Sequence, residues 1–235
     1  MTAGARLGLI PSGMGVIARL DGFNRRHPWS HNDHYGRWVL RNLRGVRSGR
    51  ALDVGSGTGN LIDLLRRRFD VVVGVEPDLT TSAAVRARFV DDGNVIIDAQ
   101  RIEDFASEAK YDAITVVAAL HHLPLEESMK QLSSLLEPGG RLVVVGCYRS
   151  TTATDALLSV LATVCNPVVG VVKHRRVASE PLKAMTAPTA EPGESMADVR
   201  RAAALYLPGS RIRRRLFWRY TLIYDESPAG ASVGE

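Results

Sequence analysis

The sequence predicts a doubly wound α/β domain with a mostly parallel β-sheet and helices on both faces. From Arg50 onward, short β-branched runs alternate with helical patterns, which is typical of parallel sheets. Each predicted strand is a continuous apolar run, as expected of a strand that is covered on both faces. The five strand candidates are residues 51–54, 71–75, 95–97, 113–117 and 142–145.

The clearest helical pattern lies between the fourth and fifth strand candidates. Its apolar residues recur at spacings of four, three and four, with charged residues on the opposite side; they are Leu125, Met129, Leu132 and Leu136. The segment Glu137-Pro138-Gly139-Gly140 is predicted to end this helix and to turn the chain into the fifth strand.

Regular alternation ends after Gly146. Residues 151–172 have a helical, apolar pattern, whereas residues 178–195 contain three prolines and cannot form a central strand. The uncharged stretch 156–172 lies at the lower edge of the length of a membrane span, and it contains a proline and a glycine. We therefore expect no transmembrane segment but a lid or pocket, with weak membrane contact through residues 156–176 as the alternative.

The C-terminal part returns to regular structure. Ser195 is predicted to cap a helix over residues 196–206, which Pro208-Gly209 ends. Residues 211–224 are predicted to form one or two final strands, at least one of them antiparallel.

Composition places the chain among ordinary globular proteins. It has 235 residues, of which 45% are hydrophobic and 23% charged, and these values exclude wholesale disorder and fibrous repeats. The two cysteines, Cys147 and Cys165, provide neither a disulfide framework nor zinc-ligand spacing. We expect a cytoplasmic protein, because a reducing compartment is the simpler interpretation.

The net charge of +5 is distributed unevenly. Residues 51–172 carry a net charge of −6, whereas residues 1–50 and 173–219 each carry +7. The arginines of residues 211–215 could bind a phosphate backbone, but 26 of the 30 basic residues are arginines, so compositional bias explains much of this cluster. We do not expect a nucleic-acid partner, and the basic flanks favour an anionic or apolar-anionic small molecule over a cation.

A glycine-rich loop follows the first predicted strand directly and leads into a helical pattern. It runs Leu52-Asp53-Val54-Gly55-Ser56-Gly57-Thr58-Gly59-Asn60. Glycines let the backbone turn tightly and approach a ligand, and a helix N-terminus offers free N–H groups to a carboxylate or phosphate. Glu76 stands at the tip of the second strand, where an acidic side chain can accept both hydroxyl protons of a ribose. The pattern therefore predicts a nucleoside ligand.

The glycine spacing disfavours a dinucleotide. Dinucleotide binding requires Gly-x-Gly-x-x-Gly, but the third glycine comes one place early at Gly59, and Asn60 stands at the expected position. The loop instead resembles motif I of the class I S-adenosylmethionine-dependent methyltransferases. This resemblance covers residues 50–146 and continues, in the family's order, through Val73-Gly74-Val75-Glu76-Pro77-Asp78, Ile97-Asp98-Ala99, Tyr111-Asp112-Ala113-Ile114 to Leu120-His121-His122-Leu123-Pro124, and Leu136-Glu137-Pro138-Gly139-Gly140-Arg141-Leu142.

The resemblance implies a Rossmann-like, seven-stranded sheet, S-adenosylmethionine as cofactor and S-adenosylhomocysteine as product. In the family, the glycine loop wraps the methionine part, the acidic strand tip binds the ribose, and the segment around Asp98 faces the adenine. With Tyr35 from the N-terminal segment, the expected cofactor-binding residues are Tyr35, Asp53, Gly55, Ser56, Gly57, Asn60, Glu76, Pro77, Asp98, Ala99 and Val117.

Three of these assignments have structural alternatives. Asp53 either contacts the cofactor amine or braces the loop by hydrogen bonding. Asp98 either faces the adenine or caps the short helix that follows it. Tyr35 either covers the cofactor or, together with Trp29 and Trp38, pins the N-terminal helix to the sheet.

His121 and His122 are the candidate catalytic residues, because they follow the fourth strand, where the family places its reacting groups. Imidazole titrates near neutral pH, so either could take a proton from the acceptor. Alternatively, one orders the loop and the other packs. No metal is expected, since His31-x-x-His34 lacks supporting carboxylates or cysteines.

The Leu-His-His-Leu-Pro and Glu-Pro-Gly-Gly segments resemble the branch that contains quinone-biosynthesis methyltransferases and many small-molecule enzymes. This implies methyl transfer to oxygen, carbon or nitrogen of a small, partly apolar molecule by in-line displacement. The alternatives are an RNA or protein methyltransferase that uses the basic flanks, and a non-catalytic cofactor-binding protein of the same fold. A monomer or homodimer is expected.

Four regions are expected along the chain. Residues 1–49 form an N-terminal helical segment that covers the cofactor site, and residues 50–146 form the cofactor-binding core. Residues 147–210 form the substrate lid, and residues 211–235 form the final strands and tail.

Overall fold

The computed structural model describes residues 31–155, 158, 192–216 and 218–228. Its helices are α1 (His31–Asn42), α2 (Asn60–Leu65), α3 (Leu79–Arg88), α4 (Leu125–Ser134) and α5 (Met196–Tyr206). Its strands are β1 (Arg50–Val54), β2 (Val71–Val75), β3 (Val95–Asp98), β4 (Tyr111–Val117), β5 (Leu136–Cys147), β6 (Arg211–Arg215) and β7 (Arg219–Asp225). Short 3-10 helices cover Ile102–Asp104 and Leu120–His122.

All seven strands form one mixed sheet in the order β3-β2-β1-β4-β5-β7-β6. The first five strands are parallel to one another, and β7 runs antiparallel to both β5 and β6. The predicted doubly wound α/β fold with an antiparallel C-terminal hairpin is therefore confirmed. β7 lies between β5 and β6. The chain therefore forms the edge strand β6 before β7, the strand that separates β6 from β5.

Alternate residues of the central strands pack into two different hydrophobic clusters, one on each face of the sheet. In β5, Leu142 and Val144 join the cluster that contains Met129 of α4 and Val199 of α5. Their neighbours Val143 and Val145 join the opposite cluster, to which α1 contributes Val39 and α2 contributes Ile62 and Leu65. This two-sided burial explains why the strands are continuous apolar runs in the sequence.

The predicted boundary between α4 and β5 is wrong. The helix ends at Ser134, and Leu136, which fits the helical spacing, already belongs to β5. The segment Glu137-Pro138-Gly139-Gly140 is not a turn before the strand but an irregularity inside it, because Tyr111 pairs with Leu136 and Ala113 pairs with Arg141. Gly139 has a φ of 81°, which permits this bulge.

The C-terminal predictions are confirmed. Ser195 caps α5 in a reciprocal arrangement with Asp198: the Asp198 N–H donates to Ser195 Oγ at 3.3 Å, and the Ser195 N–H donates to Asp198 Oδ2 at 3.0 Å. Two final strands form, and β7 pairs antiparallel with both β5 and β6, so β6 runs in the same direction as the first five strands.

The helical pattern predicted after Gly146 is described only at its start. Residues 153–155 and 158 are helical, and Thr152 and Asp155 cap this helix: the Asp155 N–H donates to Thr152 Oγ1, and the Thr152 N–H donates to Asp155 Oδ2. Most of the predicted lid and Trp29 lie outside the described residues. No helix in the described ranges is long and apolar enough to cross a membrane.

Candidate active site

Four parallel strands place the predicted site residues at one edge of the sheet. β1 lies between β2 and β4, with Val54 opposite Val75 and Val116, and Val75 pairs with Asp98 at the end of β3. The carboxyl ends of parallel strands meet at one edge, where ligands bind in open α/β sheets. The turn after β4 that carries His121 and His122, called the histidine turn below, therefore lies along the same edge as Asp53, Glu76 and Asp98.

The three glycines of the loop all have positive φ, but their surroundings differ. A Cβ at Gly55 would lie 2.5 Å from the Ala119 Cβ, and a Cβ at Gly59 would lie 2.7 Å from the Phe89 ring. These two glycines allow close packing inside the protein. Gly57, with a φ of 52°, has no atom within 4 Å of an added Cβ, so open space remains above the loop at this position.

Glu76 connects the tip of β2 to the glycine loop. One carboxylate oxygen accepts a hydrogen bond from the Gly57 N–H at 2.9 Å, and the other accepts one from the Asp78 N–H at 3.0 Å. The Gly55 N–H also donates to the Val75 carbonyl at 2.9 Å. The loop is thus held in place from β2 by both main chain and side chain.

Asp53 lies beneath the loop and is only 2% exposed. Its Oδ1 accepts a hydrogen bond from Thr115 Oγ1 of β4 at 2.7 Å. Burial raises the pKa of the Asp53 carboxyl to about 7, against the hydrogen bond from Thr115 and with a contribution from the negative charge of Glu76. The Asp53 side chain therefore joins β1 to β4 just before the loop, and its contact with the cofactor stays a prediction.

Ser56 is the other buried polar residue of the loop. Its Oγ has no hydrogen-bond partner among the described residues. Such a buried hydroxyl is rare in proteins because leaving it unpaired costs free energy, which marks Ser56 as a point where a ligand could add a bond.

Asp98, Pro77 and Ala99 lie at the ends of β2 and β3. Asp98 Oδ2 accepts a hydrogen bond from Gln100 Nε2 at 2.7 Å, and the Asp98 carbonyl accepts one from the Glu76 N–H at 3.0 Å. The N-cap of the following 3-10 helix is Arg101, so Asp98 does not cap it. Pro77 is exposed and Ala99 is half-buried.

Asn60 begins α2, a helix of only six residues, and it contacts an arginine that no sequence motif indicates. Arg88 of α3 donates to Asn60 Oδ1 at 2.9 Å and to the Thr58 carbonyl at 2.7 Å. Arg88 therefore fixes the outer side of the glycine loop. It carries no motif signal, because it is one of two arginines in the last turn of a largely exposed helix.

Tyr35 is 7% exposed and packs in the cluster that also contacts Val117 at the end of β4. Its ring meets the Trp38 ring edge-on at 6.2 Å between centroids. Burial raises the pKa of the Tyr35 phenol, although the positive charges of Arg215 and Arg219 oppose this shift. The contact with Trp38 lies within α1, whereas the burial of Tyr35 in the shared cluster packs α1 against the sheet. Contact between Tyr35 and the cofactor stays a prediction.

The histidine turn follows a strained residue. Ala118 has a φ of 54°, and its N–H donates to the Val145 carbonyl at 2.7 Å, so the chain turns sharply out of β4. The rings of His121 and His122 then lie 4.0 Å apart. His121 is half-buried and His122 is exposed.

The pKa of the His121 imidazole is lowered from its ordinary value. Burial, followed by the positive charges of His122 and Arg219, lowers the pKa of the His121 imidazole to about 4. The lowered pKa disfavours His121 as a proton acceptor at neutral pH, and a catalytic base in this turn stays a prediction. Its buried Nδ1 has no hydrogen-bond partner in the described part of the chain.

Comparison with known proteins identifies the family. A family model described as a methyltransferase domain matches residues 25–167, more than half of the chain. The chain belongs to this methyltransferase family. The match, together with the glycine loop and the seven-stranded sheet, confirms the resemblance to the class I S-adenosylmethionine-dependent enzymes.

Individual relatives agree with this assignment. The methyltransferase is 28% identical to an uncharacterized methyltransferase of Mycobacterium tuberculosis over 193 residues, which is 82% of this chain and 94% of that protein. It is 28% identical over 121 residues to a ubiquinone biosynthesis O-methyltransferase of Aeromonas salmonicida, covering 49% and 50% of the two chains. An S-adenosylmethionine-dependent methyltransferase structure from Clostridium acetobutylicum has the same fold, with a TM-score of 0.61, 13% identity, and coverage of 92% and 99%.

A second feature of the methyltransferase, a cleft between α1 and the end of β6, was not predicted. Its volume is about 460 Å³, and it is lined by His34, Tyr35, Trp38, Arg41, Leu158, Arg214, Arg215 and Leu216. The volume lies within the range of small-molecule sites. Among the residues that the structure describes, no group of three or more His, Cys, Asp or Glu side chains could hold a metal ion.

Proposed function

We propose that the methyltransferase transfers a methyl group from S-adenosylmethionine to oxygen, carbon or nitrogen of a small, partly apolar molecule by in-line displacement. The observation that carries this proposal is the bond between Glu76 and Gly57. It joins the acidic strand tip, proposed to bind the ribose, to the loop proposed to bind the methionine part.

The residues at this edge fit the cofactor chemically. Each Glu76 oxygen accepts one backbone N–H and retains acceptor capacity for a ribose hydroxyl. The Ser56 hydroxyl and the open space above Gly57 supply an unused hydrogen-bonding group and room for a ligand. Asp98 is proposed to accept a hydrogen bond from the adenine amine. The proposed contact surface also includes Tyr35, Asp53, Gly55, Asn60, Pro77, Ala99 and Val117.

S-adenosylmethionine supplies an already activated methyl group, so the protein contributes mainly by orientation. The glycine loop, fixed by Glu76 from β2 and by Arg88 from α3, is preorganised for this role.

Any proton released by the acceptor is proposed to go to the histidine turn. The lowered pKa makes His121 a weak base, so His121 is proposed to position the turn. The neighbouring His122 ring, which is exposed, is the proposed proton acceptor.

The similarity to a ubiquinone biosynthesis O-methyltransferase supports a small, partly apolar acceptor. We also propose a cytoplasmic monomer or homodimer without a bound metal. In this proposal residues 1–49 cover the cofactor, residues 50–146 bind it, residues 147–210 select the acceptor and residues 211–235 complete the sheet.

The proposal is tested by titrating the purified protein with S-adenosylhomocysteine in a calorimeter and by incubating it with labelled S-adenosylmethionine and host metabolite extracts. Binding together with transfer of label to a small molecule is expected. Absence of binding at millimolar cofactor would end the proposal. Binding without transfer to any fraction would favour a cofactor-binding protein that is not an enzyme.

A further inference from the structure

The cleft lies at the same edge of the sheet as the cofactor residues. Arg219, the first residue of β7, pairs with Cys147 at the carboxyl end of parallel strand β5. The turn between β6 and β7 is therefore at the carboxyl edge, and Arg215 and Leu216 line the cleft from it. The charge of Arg219 acts on both Tyr35 and His121, so it is within electrostatic reach of the cleft and of the histidine turn.

One wall of the cleft is aromatic. His34, Trp38 and Arg41 are spaced by four and three residues, which places them on one face of α1. The rings of Tyr35 and Trp38 meet at an interplanar angle of 89°, and the His34 ring lies 5.3 Å from Tyr35. Such a surface suits a flat apolar body, because aromatic rings pack edge-on or offset against one another.

The opposite wall is cationic and has few counter-charges. Arg215 of β6 pairs with Arg219 of β7, which brings two arginines to this end of the hairpin. Arg215 donates to Thr221 Oγ1 at 3.2 Å and lies 5.7 Å from the centre of the Trp38 ring. Within the described ranges, no carboxylate lies within ion-pair distance of Arg215 or Arg41.

Arg214 also lines the cleft, but unlike Arg215 it has a counter-charge among the described residues. Its Nε lies 2.9 Å from Oδ1 of Asp155, whose side chain is only 1% exposed. The charge of Arg214 is therefore compensated inside the protein, whereas Arg41 and Arg215 leave positive charge beside the aromatic wall. A guanidinium stacked on an indole also keeps its planar donors aligned for a carboxylate.

From this arrangement we infer that the cleft is the acceptor site and that its ligand is a small organic acid, with a flat apolar body against Tyr35 and Trp38 and a carboxylate against Arg41 and Arg215. This inference rests on the proposed function, because an acceptor site requires methyl transfer. It narrows the acceptor from a partly apolar molecule to an apolar acid.

The test compares 2-naphthoate with its neutral isostere 2-naphthamide on protein saturated with S-adenosylhomocysteine, using calorimetry. The acid should bind about tenfold more tightly than the amide, as one charge-assisted hydrogen bond implies. Arg215→Gln should remove this preference. Arg41 lies on α1, on the aromatic wall of the cleft. Arg41→Gln should therefore reduce the preference for the acid independently of Arg215.

Arg213→Gln is the matched control, because Arg213 is an exposed arginine of the same strand that does not line the cleft. It should keep the preference for the acid. Equal binding of acid and amide, no binding of naphthoate at millimolar concentration, or an equal loss in Arg213→Gln and Arg215→Gln would each overturn the inference.

The affinity for S-adenosylhomocysteine, measured in the same series, separates the two proposals. If it persists while the acid preference is absent, only the acceptor inference fails. If the wild type binds no S-adenosylhomocysteine, the proposed function fails.

Discussion

The Glu76 carboxylate and the Gly57 backbone N–H, 19 residues apart in sequence, form a 2.9 Å hydrogen bond at the carboxyl edge of the sheet. The acidic tip of β2 therefore shapes the glycine loop as well as presenting a carboxylate to a ligand. A change at Glu76 should affect both functions.

Glu76→Gln should weaken binding of S-adenosylhomocysteine about 100-fold, because it removes the charge and sets an amide nitrogen against a backbone N–H donor. Calorimetry measures this loss. Glu108→Gln, the same change at an exposed position of the described chain, should leave the affinity unchanged. Equal affinities for the two variants would show that Glu76 does not hold the cofactor.

Asp53 should make the protein less stable as pH rises. Its folded-state pKa of about 7 exceeds the ordinary value of 3.8, so between these values the folded state binds more protons than the unfolded state. This contribution to stability is present below the ordinary value and is lost as pH rises through about 7.

In Asp53→Asn no buried carboxyl has to ionise as pH rises. The change that this substitution makes in the free energy of unfolding should therefore be about 2–4 kcal/mol more stabilising above pH 7 than at acidic pH. Urea unfolding across the pH range measures the difference. Asp91→Asn, at an exposed position, is the control and should show no such trend. Parallel pH profiles for wild type and Asp53→Asn would contradict the raised pKa.

His121 should make the protein less stable as pH falls, the opposite direction from Asp53. Because its pKa is lowered to about 4 from 6.5, the unfolded state binds the proton more readily, and stability is lost as pH falls from the ordinary value through about 4. His121→Gln should remove about 1 kcal/mol of this loss, a modest amount because the half-exposed ring remains partly solvated. His122→Gln, at the adjacent exposed ring, is the comparison. The same flattening of the pH profile in both variants would argue against the burial of His121.

Gly146→Ala should destabilise the fold, since a Cβ at this position in β5 would overlap the ring of Tyr220, which is 1% exposed and cannot move aside. The expected loss in the free energy of unfolding is about 1–3 kcal/mol. Gly93→Ala, where an added Cβ meets no atom within 4 Å, should remain close to wild type. Thermal and urea unfolding compare the two variants, and equal stabilities would contradict the close packing of β5 on β7.

The parts of the site that depend on neighbouring residues in the chain could be predicted from the sequence. The glycine loop and Glu76 are each tied to a strand end, and strand order brings them together. Arg88 and Arg215 could not be recognised, because their roles arise from contacts with Thr58 and Trp38, which are far away in sequence. At Leu136 the sequence pattern cannot separate α4 from β5, because an apolar residue four positions after Leu132 fits either a helix or the beginning of a buried strand.

The position of β7 between β5 and β6 has a consequence for how the protein is made. β5 pairs with β7 from Cys147 opposite Arg219 to Arg141 opposite Asp225. The sheet therefore cannot be completed until the chain is synthesised to at least Asp225. During translation the apolar edge of β5 has no partner, and exposed strand edges favour aggregation. Until β7 enters the sheet, the edge of β5 in a nascent chain is therefore open to pairing with a strand of another molecule.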